Sequence, residues 1–225
     1  LYVADDAARA ALQAEAEGLP QLLVNSAAAA NAVMLGAGYF TPLTGYMNLA
    51  DTLSVAESLT TANGVFFPVP VLNRTDNVEG LEAGARVALR DPNVDGNPII
   101  AVQTIAAIEA FSEADEAKVI AKVFRTDDDS HPGVSTFKGL GRYIVSGDIE
   151  VLNYSYFETE FAETFRTATQ IRNEIAERGW EIVVAFQTRN PMHRAHEELC
   201  KMAKEAVNAD GILIHMLLGK LKPGD

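Results

Sequence analysis

Apolar and polar positions along this chain show two textures, which change near residue 158. Residues 4–17 are rich in Ala, Asp and Glu with few breakers and read as a helix. Residues 26–37 are Ala-rich and read as a second helix ending at Gly36 or Gly38. A loop punctuated by Gly and Pro follows, Gly38-Tyr39-Phe40-Thr41-Pro42-Leu43-Thr44-Gly45-Tyr46-Met47. Residues 65–72 read as a strand, of edge or bulged type because Pro68 and Pro70 lack the N–H a central strand needs. Residues 85–90 and 99–105 are β-prone runs flanking a polar stretch from Asp91 to Pro98, the pattern of a hairpin with a longer loop. Residues 105–111 and 118–124 extend the β pattern, and 125–148 read as loop. The first part of the chain is therefore expected to be mostly β, with helices at its front.

Beyond residue 158 the pattern is helical over 162–178, with Gly179 as the residue after the helix. It continues as strand 181–186, a polar turn, helix 191–207 and strand 211–218. Strand, helix, strand is a βαβ unit, which predicts two parallel strands joined by a right-handed crossover. Two strands alone do not make a stable sheet. The chain reaches Lys222-Pro223-Gly224-Asp225 just after the second strand, so the expectation is a larger α/β domain of which 159–225 is the first part. The overall class is α/β, with units 1–158 and 159–225. No internal repeat or low-complexity linker separates them.

The chemistry concentrates in the polar turn. Ile182-Val183-Val184-Ala185-Phe186 leads into Gln187-Thr188-Arg189-Asn190-Pro191-Met192-His193-Arg194-Ala195-His196-Glu197-Glu198-Leu199-Cys200-Lys201. Asn190 is expected as the N-cap, with Pro191 at the first helical position, where a missing N–H costs nothing. His193 then falls at the third position and His196 three residues on, so both imidazoles share a helix face. Free amides and the positive end of the helix dipole favour an anion there. Arg189 adds a planar fork suited to two oxygens of a sulfate or phosphate. Gln187 and Thr188 supply neutral donors at the carboxyl end of the strand, where open α/β sheets bind ligands.

Plainer readings stand beside this one. His-x-x-His on a helix can be half of a zinc site, but the chain has one Cys and no clear third ligand nearby. The two His could also be exposed residues on a purely structural helix start. Arg, Asn-Pro and two His on one strand-to-helix turn favour the anion site over either. Asp127-Asp128-Asp129 beside His131 suggests a metal, yet consecutive residues do not converge easily on one ion; a solvated loop is expected.

Composition narrows the partners. Of 225 residues, 48% are hydrophobic and 22% charged, an ordinary globular balance. No apolar run approaches the ~20 residues that span a bilayer, so no membrane partner is expected. The start, Leu1-Tyr2-Val3-Ala4-Asp5-Asp6, has neither a basic segment followed by an apolar one nor an initiator Met; it reads as lacking a signal peptide and a few upstream residues. The single Cys200 cannot close an intrachain disulfide, which fits a reducing cytoplasm, and it reads as packed within the helix. The net charge of −13 makes nucleic acid a poor partner. It also repels anionic substrates at long range, so the site must build its own positive field. Arg189, Arg194 and Lys201 outnumber Glu197 and Glu198 there, and Lys220 and Lys222 follow the next strand.

The run from Gln187 to Glu197 resembles the signature of the ATP sulfurylases. Gly38 to Met47 is similar to that family's N-terminal landmark. Phe67-Pro68-Val69-Pro70-Val71, His131-Pro132-Gly133-Val134 and the run from Gly211 through Gly219 to Gly224-Asp225 are similar to further segments. The resemblance covers the whole chain. It implies a PUA-like, mostly-β N-terminal domain (1–158), followed by the start of a parallel-sheet, Rossmann-like nucleotidyltransferase domain of His-x-x-His type (159–225). It implies transfer of the adenylyl group of ATP to sulfate, giving adenosine 5′-phosphosulfate and pyrophosphate, with Mg²⁺ accompanying ATP, no protein-bound metal, and a homo-oligomer. Carried over by position, Thr188, Arg189 and Asn190 form the catalytic turn. Gln187 and Arg189 hold sulfate, and His193 and His196 join Gln187, Thr188, Arg189 and Asn190 around ATP. The adenine-binding residues are expected beyond Asp225.

Two other readings remain open at this point. Another nucleotidyltransferase could use the same strand-turn-helix, although the wider superfamily places Gly before the second His where this chain has Ala195. The PUA-like part could be an RNA-binding module, against which the acidic charge argues. No GxxxxGK[ST] phosphate loop of a fused kinase occurs in these residues.

Overall fold

A computed structural model describes residues 1–219. Its contacts divide the chain into a first unit, Leu1–Ser155, and a second that begins at Tyr156. The first unit runs α1 (Asp6–Ala16), β1 (Gln21–Leu23), α2 (Ser26–Gly36), β2 (Gly45–Tyr46), α3 (Leu49–Ser58), β3 (Arg74–Thr75) and β4 (Arg86–Arg90). It continues with β5 (Ile99–Thr104), β6 (Ala107–Ala110), α4 (Glu113–Val123), α5 (Pro132–Lys138) and β7 (Tyr143–Val151). The second unit holds α6 (Phe157–Glu160), α7 (Ala168–Glu177), β8 (Val183–Thr188), α8 (Arg194–Ala206) and β9 (Gly211–Met216).

The first unit is built around one sheet of order β1-β4-β5-β7-β2, with β3 and β6 also pairing to β7. β4 and β5 form the expected antiparallel hairpin, with a register shift at Leu89/Arg90. Val87, Ala88, Leu89 and all of Ile99–Val102 are buried; each buried Val, Leu or Ile contributes roughly 1.5–3 kcal/mol. Two helices sit where the sequence predicts them. Asp5 caps α1 by accepting the Ala8 N–H at 2.8 Å, and Asn25 caps α2 by accepting that of Ala28 at 2.9 Å. The alanines of α2 reflect depth: Ala28, Ala29 and Ala32 are buried, and a Cβ at Gly36 would come 2.7 Å from the Val151 side chain.

Three expectations are corrected in this unit. Residues 143–151, read as the end of a loop followed by an unassigned stretch, form β7, which pairs with β2, β3, β5 and β6. The glycine that disguised it is required: Gly147 has φ 137°, and a Cβ there would sit 2.0 Å from the Thr104 carbonyl oxygen. Residues 118–124, read as β, lie largely in helix α4. Ser112 accepts the Asp115 N–H, the first turn holds Glu113, Asp115 and Glu116, Val119 joins a buried cluster with Ala56, Phe111 and Ile144, and Ile120 is buried beside it in sequence. Capping and helical spacing outweigh a locally β-rich run. Residues 65–72 form no strand; one bridge, Thr60 to Phe66, stands there, as two prolines remove two ladder donors.

One buried cation organises the far end of the sheet. The Arg74 side chain donates to the Gly141 and Phe137 carbonyls, both at 2.8 Å, and to Glu116 Oε1 at 2.7 Å. Its guanidinium lies between the Phe111 and Phe137 rings, 4.6 and 4.8 Å from their centroids. The aspartates at 127–129 are in a loop, where Asp128 accepts the Ser130 N–H and Asp129 pairs with Lys138.

In the second unit α7 begins at Ala168 instead of residue 162. Thr167 and Gln170 form a reciprocal capping box that fixes the start. The aromatic residues before it, Phe157, Phe161 and Phe165, pack on one another. Gly179 ends the helix at φ 65°, as its position predicts. β8 and β9 pair in parallel, as the βαβ pattern predicts, from Val183–Gly211 to Thr188–Met216. Strand β8 lies two residues later than expected and so includes Gln187 and Thr188. Asp210 holds the other end together, its carboxylate accepting the Glu181 and Ile182 N–H groups at 2.8 and 2.9 Å. The expected basic pair Lys220 and Lys222 lies outside the described residues. Among the described residues, no helix is long and apolar enough to cross a membrane.

Candidate anion-binding site

The candidate residues lie at the carboxyl end of β8 and the start of α8, with the end of β9 alongside. Parallel pairing aligns the strand ends, so Gln187 stands opposite His215 and Thr188 opposite Met216. The Leu217 N–H continues the ladder to the Thr188 carbonyl at 3.0 Å.

Thr188 shapes the turn. Its hydroxyl accepts the Asn190 N–H at 3.1 Å and donates to the Asn190 carbonyl at 2.9 Å. The hydroxyl closes a tight loop around Arg189, which is exposed. Both backbone groups of Asn190 serve this loop, so Asn190 does not open the helix.

The expected helix start is therefore corrected. α8 begins at Arg194, three residues later than predicted, and its N-cap is His193, not Asn190. His193 is extended (φ −132°, ψ 175°), and its Nδ1 accepts the Ala195 N–H at 3.3 Å. Pro191 and Met192 are in the connection, not the first turn. His is an uncommon cap, which is why the sequence pointed to Asn190 instead. His131 at the start of α5 offers a parallel: its Nδ1 accepts the Gly133 and Val134 N–H groups at 3.2 and 3.4 Å.

The two histidines still share one face. Their rings stack with centroids 3.9 Å apart at 28°. Phe186 on β8 lies against His196 at 5.4 Å, and the His196 Nδ1 is buried without a hydrogen-bond partner. Cys200, one turn further on, is buried. Among the described residues, no three His, Cys, Asp or Glu side chains gather in a way that could hold a metal ion.

The local charge differs in one respect from the sequence reading. Lys201 pairs with Glu197 at 2.7 Å and Glu198 at 3.1 Å, and these hydrogen bonds raise its pKa. Its charge is balanced within the helix. The positive field of the turn therefore rests on Arg189, Arg194 and the first free amides of α8. Three contributors were not singled out from sequence: the Thr188 lock, the Phe186 ring beneath His196, and His215 across from Gln187. The strand register that brings in His215 was legible only in outline, from two parallel runs.

These features define a mixed α/β unit built around one sheet, in place of the mostly-β unit expected, since its helices span more residues than its strands. A strand-turn-helix of a second α/β unit follows. Comparison with known proteins makes this specific. The PUA-like domain family matches residues 1–154 and the ATP-sulfurylase family residues 162–225. The chain belongs to the PUA-like domain family through its first part, and its second part matches the ATP-sulfurylase family. It is 66% identical over 225 residues to a sulfate adenylyltransferase of Alcanivorax borkumensis, covering 100% of this chain and 56% of that one. It is 59% identical over 224 residues to one of Allochromatium vinosum, covering 100% and 56%. Among solved structures it resembles a hexameric APS kinase from Thiobacillus denitrificans, with TM-score 0.74 and 25% identity, over 96% of this chain and 38% of that one. The chain spans about half the length of the curated relatives it matches.

Proposed function

We propose that this chain carries the sulfate- and phosphate-handling part of a sulfate adenylyltransferase, which transfers the adenylyl group of ATP to sulfate and releases pyrophosphate. The observation that carries the reading is the turn itself: Gln187 to His196 sits at the carboxyl end of a parallel strand and leads into a helix N-terminus, with two stacked imidazoles on one side.

Sulfate is a weak nucleophile, and it must approach an α-phosphate that is also negative. Bringing them together requires cations and N–H donors that neutralise both and align them. Sulfate has no proton to lose near neutral pH, so no general base is needed. A turn rich in donors, with no acid before Glu197, suits that task. In this account Gln187 and Arg189 hold sulfate, with the Arg189 fork taking two oxygens. Thr188 fixes the loop on which Arg189 and Asn190 are presented. His193 and His196 face the ATP phosphates and the charge that develops on the departing pyrophosphate. Mg²⁺ arrives as part of the MgATP substrate. Adenine would be held by residues outside this chain.

The same site would run the reaction toward ATP when adenosine 5′-phosphosulfate and pyrophosphate are supplied. A homo-oligomer is the proposed assembly, in line with the hexameric state named for the solved neighbour. The cytoplasm is the proposed compartment, consistent with a single buried cysteine. The test is pyrophosphate-dependent ATP formation by the full-length protein, set beside Arg189→Ala. ATP formation by the wild type and its collapse in the variant are expected.

A further inference from the structure

The run from Gly38 to Met47 takes no part in the anion-binding turn, and its second half has a place of its own in the fold. Residues from Pro42 to Met47 line a cleft of about 370 Å³ in the first unit, within the size range of small-molecule pockets. The start of α3, the segment after that helix and the bend of β7 at Gly147 supply the rest of the lining. The strands approach closely here: a Cβ on Gly45 would lie 1.9 Å from the Gly147 carbonyl oxygen. Glycine at this crossing lets β2 lie against β7, with Gly45 opposite Asp148.

The cleft favours a cation. Asp51 and Asp148 are its charged residues, and no Lys, Arg or His lines it. Each carboxylate gives one oxygen to the fold: Asp51 Oδ1 accepts the Ala62 N–H at 2.7 Å, and Asp148 Oδ1 accepts the Thr44 hydroxyl at 2.5 Å. The second oxygen of each has no hydrogen bond or ion pair among the described residues. An anion finds little at the start of α3, because the Leu49 N–H is taken by Glu109 Oε2 at 2.9 Å and the Asp51 N–H by Asn48 Oδ1 at 2.8 Å. The first unit also carries 20 Asp and Glu against 9 Lys and Arg, a net −11 of the chain's −13. Its field draws cations and repels anions.

The chemistry of the lining selects an organic cation over a metal ion. Mg²⁺ and Ca²⁺ ask for about six or more oxygen ligands, and among the described residues no three His, Cys, Asp or Glu side chains gather to hold an ion. The cleft instead sets Pro42, Leu43 and Val65 beside the two carboxylates, an apolar surface for a short carbon chain. We propose that this cleft binds a small free amine. Its ammonium group is held by the second oxygens of Asp51 and Asp148, and its methylenes lie against Pro42, Leu43 and Val65. None of these residues belongs to the anion-binding turn, so the two readings stand or fall separately.

The probe is 1,4-diaminobutane, added to the full-length protein at fixed ionic strength and followed by calorimetric titration and by the methyl NMR signals of Leu43 and Val65. The diamine should bind with a Kd of about 1 mM or tighter and move both methyl signals. The corresponding diol, of the same length without charge, should move neither, and Mg²⁺ should not displace the diamine. Asp51→Asn and Asp148→Asn each keep an oxygen for the fold's own hydrogen bond and remove the charge. Each should weaken diamine binding about tenfold, the loss of one charge-assisted hydrogen bond. The comparison of diamine, diol and Mg²⁺ on the wild type does not depend on how the variants fold. Methyl signals that stay still with the diamine, or move equally with the diol, overturn the proposal. So does displacement by Mg²⁺, which would mark attraction to charge alone, and so does equal diamine affinity in the wild type and both folded variants, which would place the binding elsewhere on the acidic surface.

Discussion

The imidazole rings of His193 and His196 stack 3.9 Å apart, although His193 is outside helix α8 and His196 is within its first turn. The chain enters the helix at His193, not at Asn190. That entry places one ring on the cap and the other directly behind it, with Phe186 of β8 closing the far side. The pair is held by packing before any ligand arrives.

Replacing His196 with Ala should remove a pre-placed donor and the ring that supports His193. We expect kcat to fall by about 10²–10³, the range for losing one group that stabilises developing charge, with a smaller change in the KM for sulfate. Steady-state kinetics on the full-length protein measure both. A loss no greater than that of a distant surface substitution would remove His196 from the site.

Arg189→Lys should fail to restore what Arg189→Ala loses. Lysine keeps the charge but not the planar fork, and two-oxygen recognition needs the fork. The expected signature is a sulfate KM raised in both variants, with the KM for ATP less affected.

Thr188 locks its turn by donating to and accepting from the same residue, Asn190, at 2.9 and 3.1 Å. Thr188→Val keeps the shape and removes both bonds; Thr188→Ser keeps both. Activity should drop at least tenfold in the first and stay near wild type in the second, because each lost bond loosens the presentation of Arg189 by about 1 kcal/mol. Equal activity in the two would show that the hydroxyl does not set the turn.

The fold is unevenly legible in the sequence, for physical reasons. The β4–β5 hairpin and the β8–α8–β9 unit were legible because their apolar runs are long and bounded by turn residues. Strand β7 was not: Gly141 and Gly147 imitate loop punctuation, while Gly147 is there because the Thr104 carbonyl leaves no room for a Cβ. Helix α4 was misread because Val119, Ile120 and Val123 are β-formers; their helical spacing and the cap at Ser112 with its acidic first turn mark the helix. At the site, residue types and location were legible, since strand-turn-helix polarity follows from sequence order. The helix start was not, since it depends on Thr188 engaging both backbone groups of Asn190.

Away from the site, Arg74 should be the costliest single replacement in the first unit. Arg74→Met would leave Glu116 without its partner and strand the Gly141 and Phe137 carbonyls. Breaking a buried pair from one side costs about 3–5 kcal/mol. Denaturant unfolding should show that loss, and a shift under ~1 kcal/mol would contradict it.

Asp210 gives the second unit an acid-sensitive joint. The backbone N–H groups of Ile182 and Glu181 hold its carboxyl below the usual carboxylate range. A group with a depressed folded pKa stabilises the fold above its unfolded pKa, and that contribution is lost as pH falls through the folded value. Asp210→Asn should therefore reduce stability near neutral pH and flatten its decline toward acid. Unfolding midpoints of both proteins from pH 7 downward would show the two curves converging; parallel curves would contradict the account.

The measurement that bears most directly on the central claim is ATP formation from adenosine 5′-phosphosulfate and pyrophosphate by the full-length protein, beside Arg189→Ala. The account predicts rapid ATP release by the wild type and its near-complete loss in a variant that still folds. A folded wild type that makes no ATP, or an Arg189→Ala variant as fast as the wild type, would contradict it.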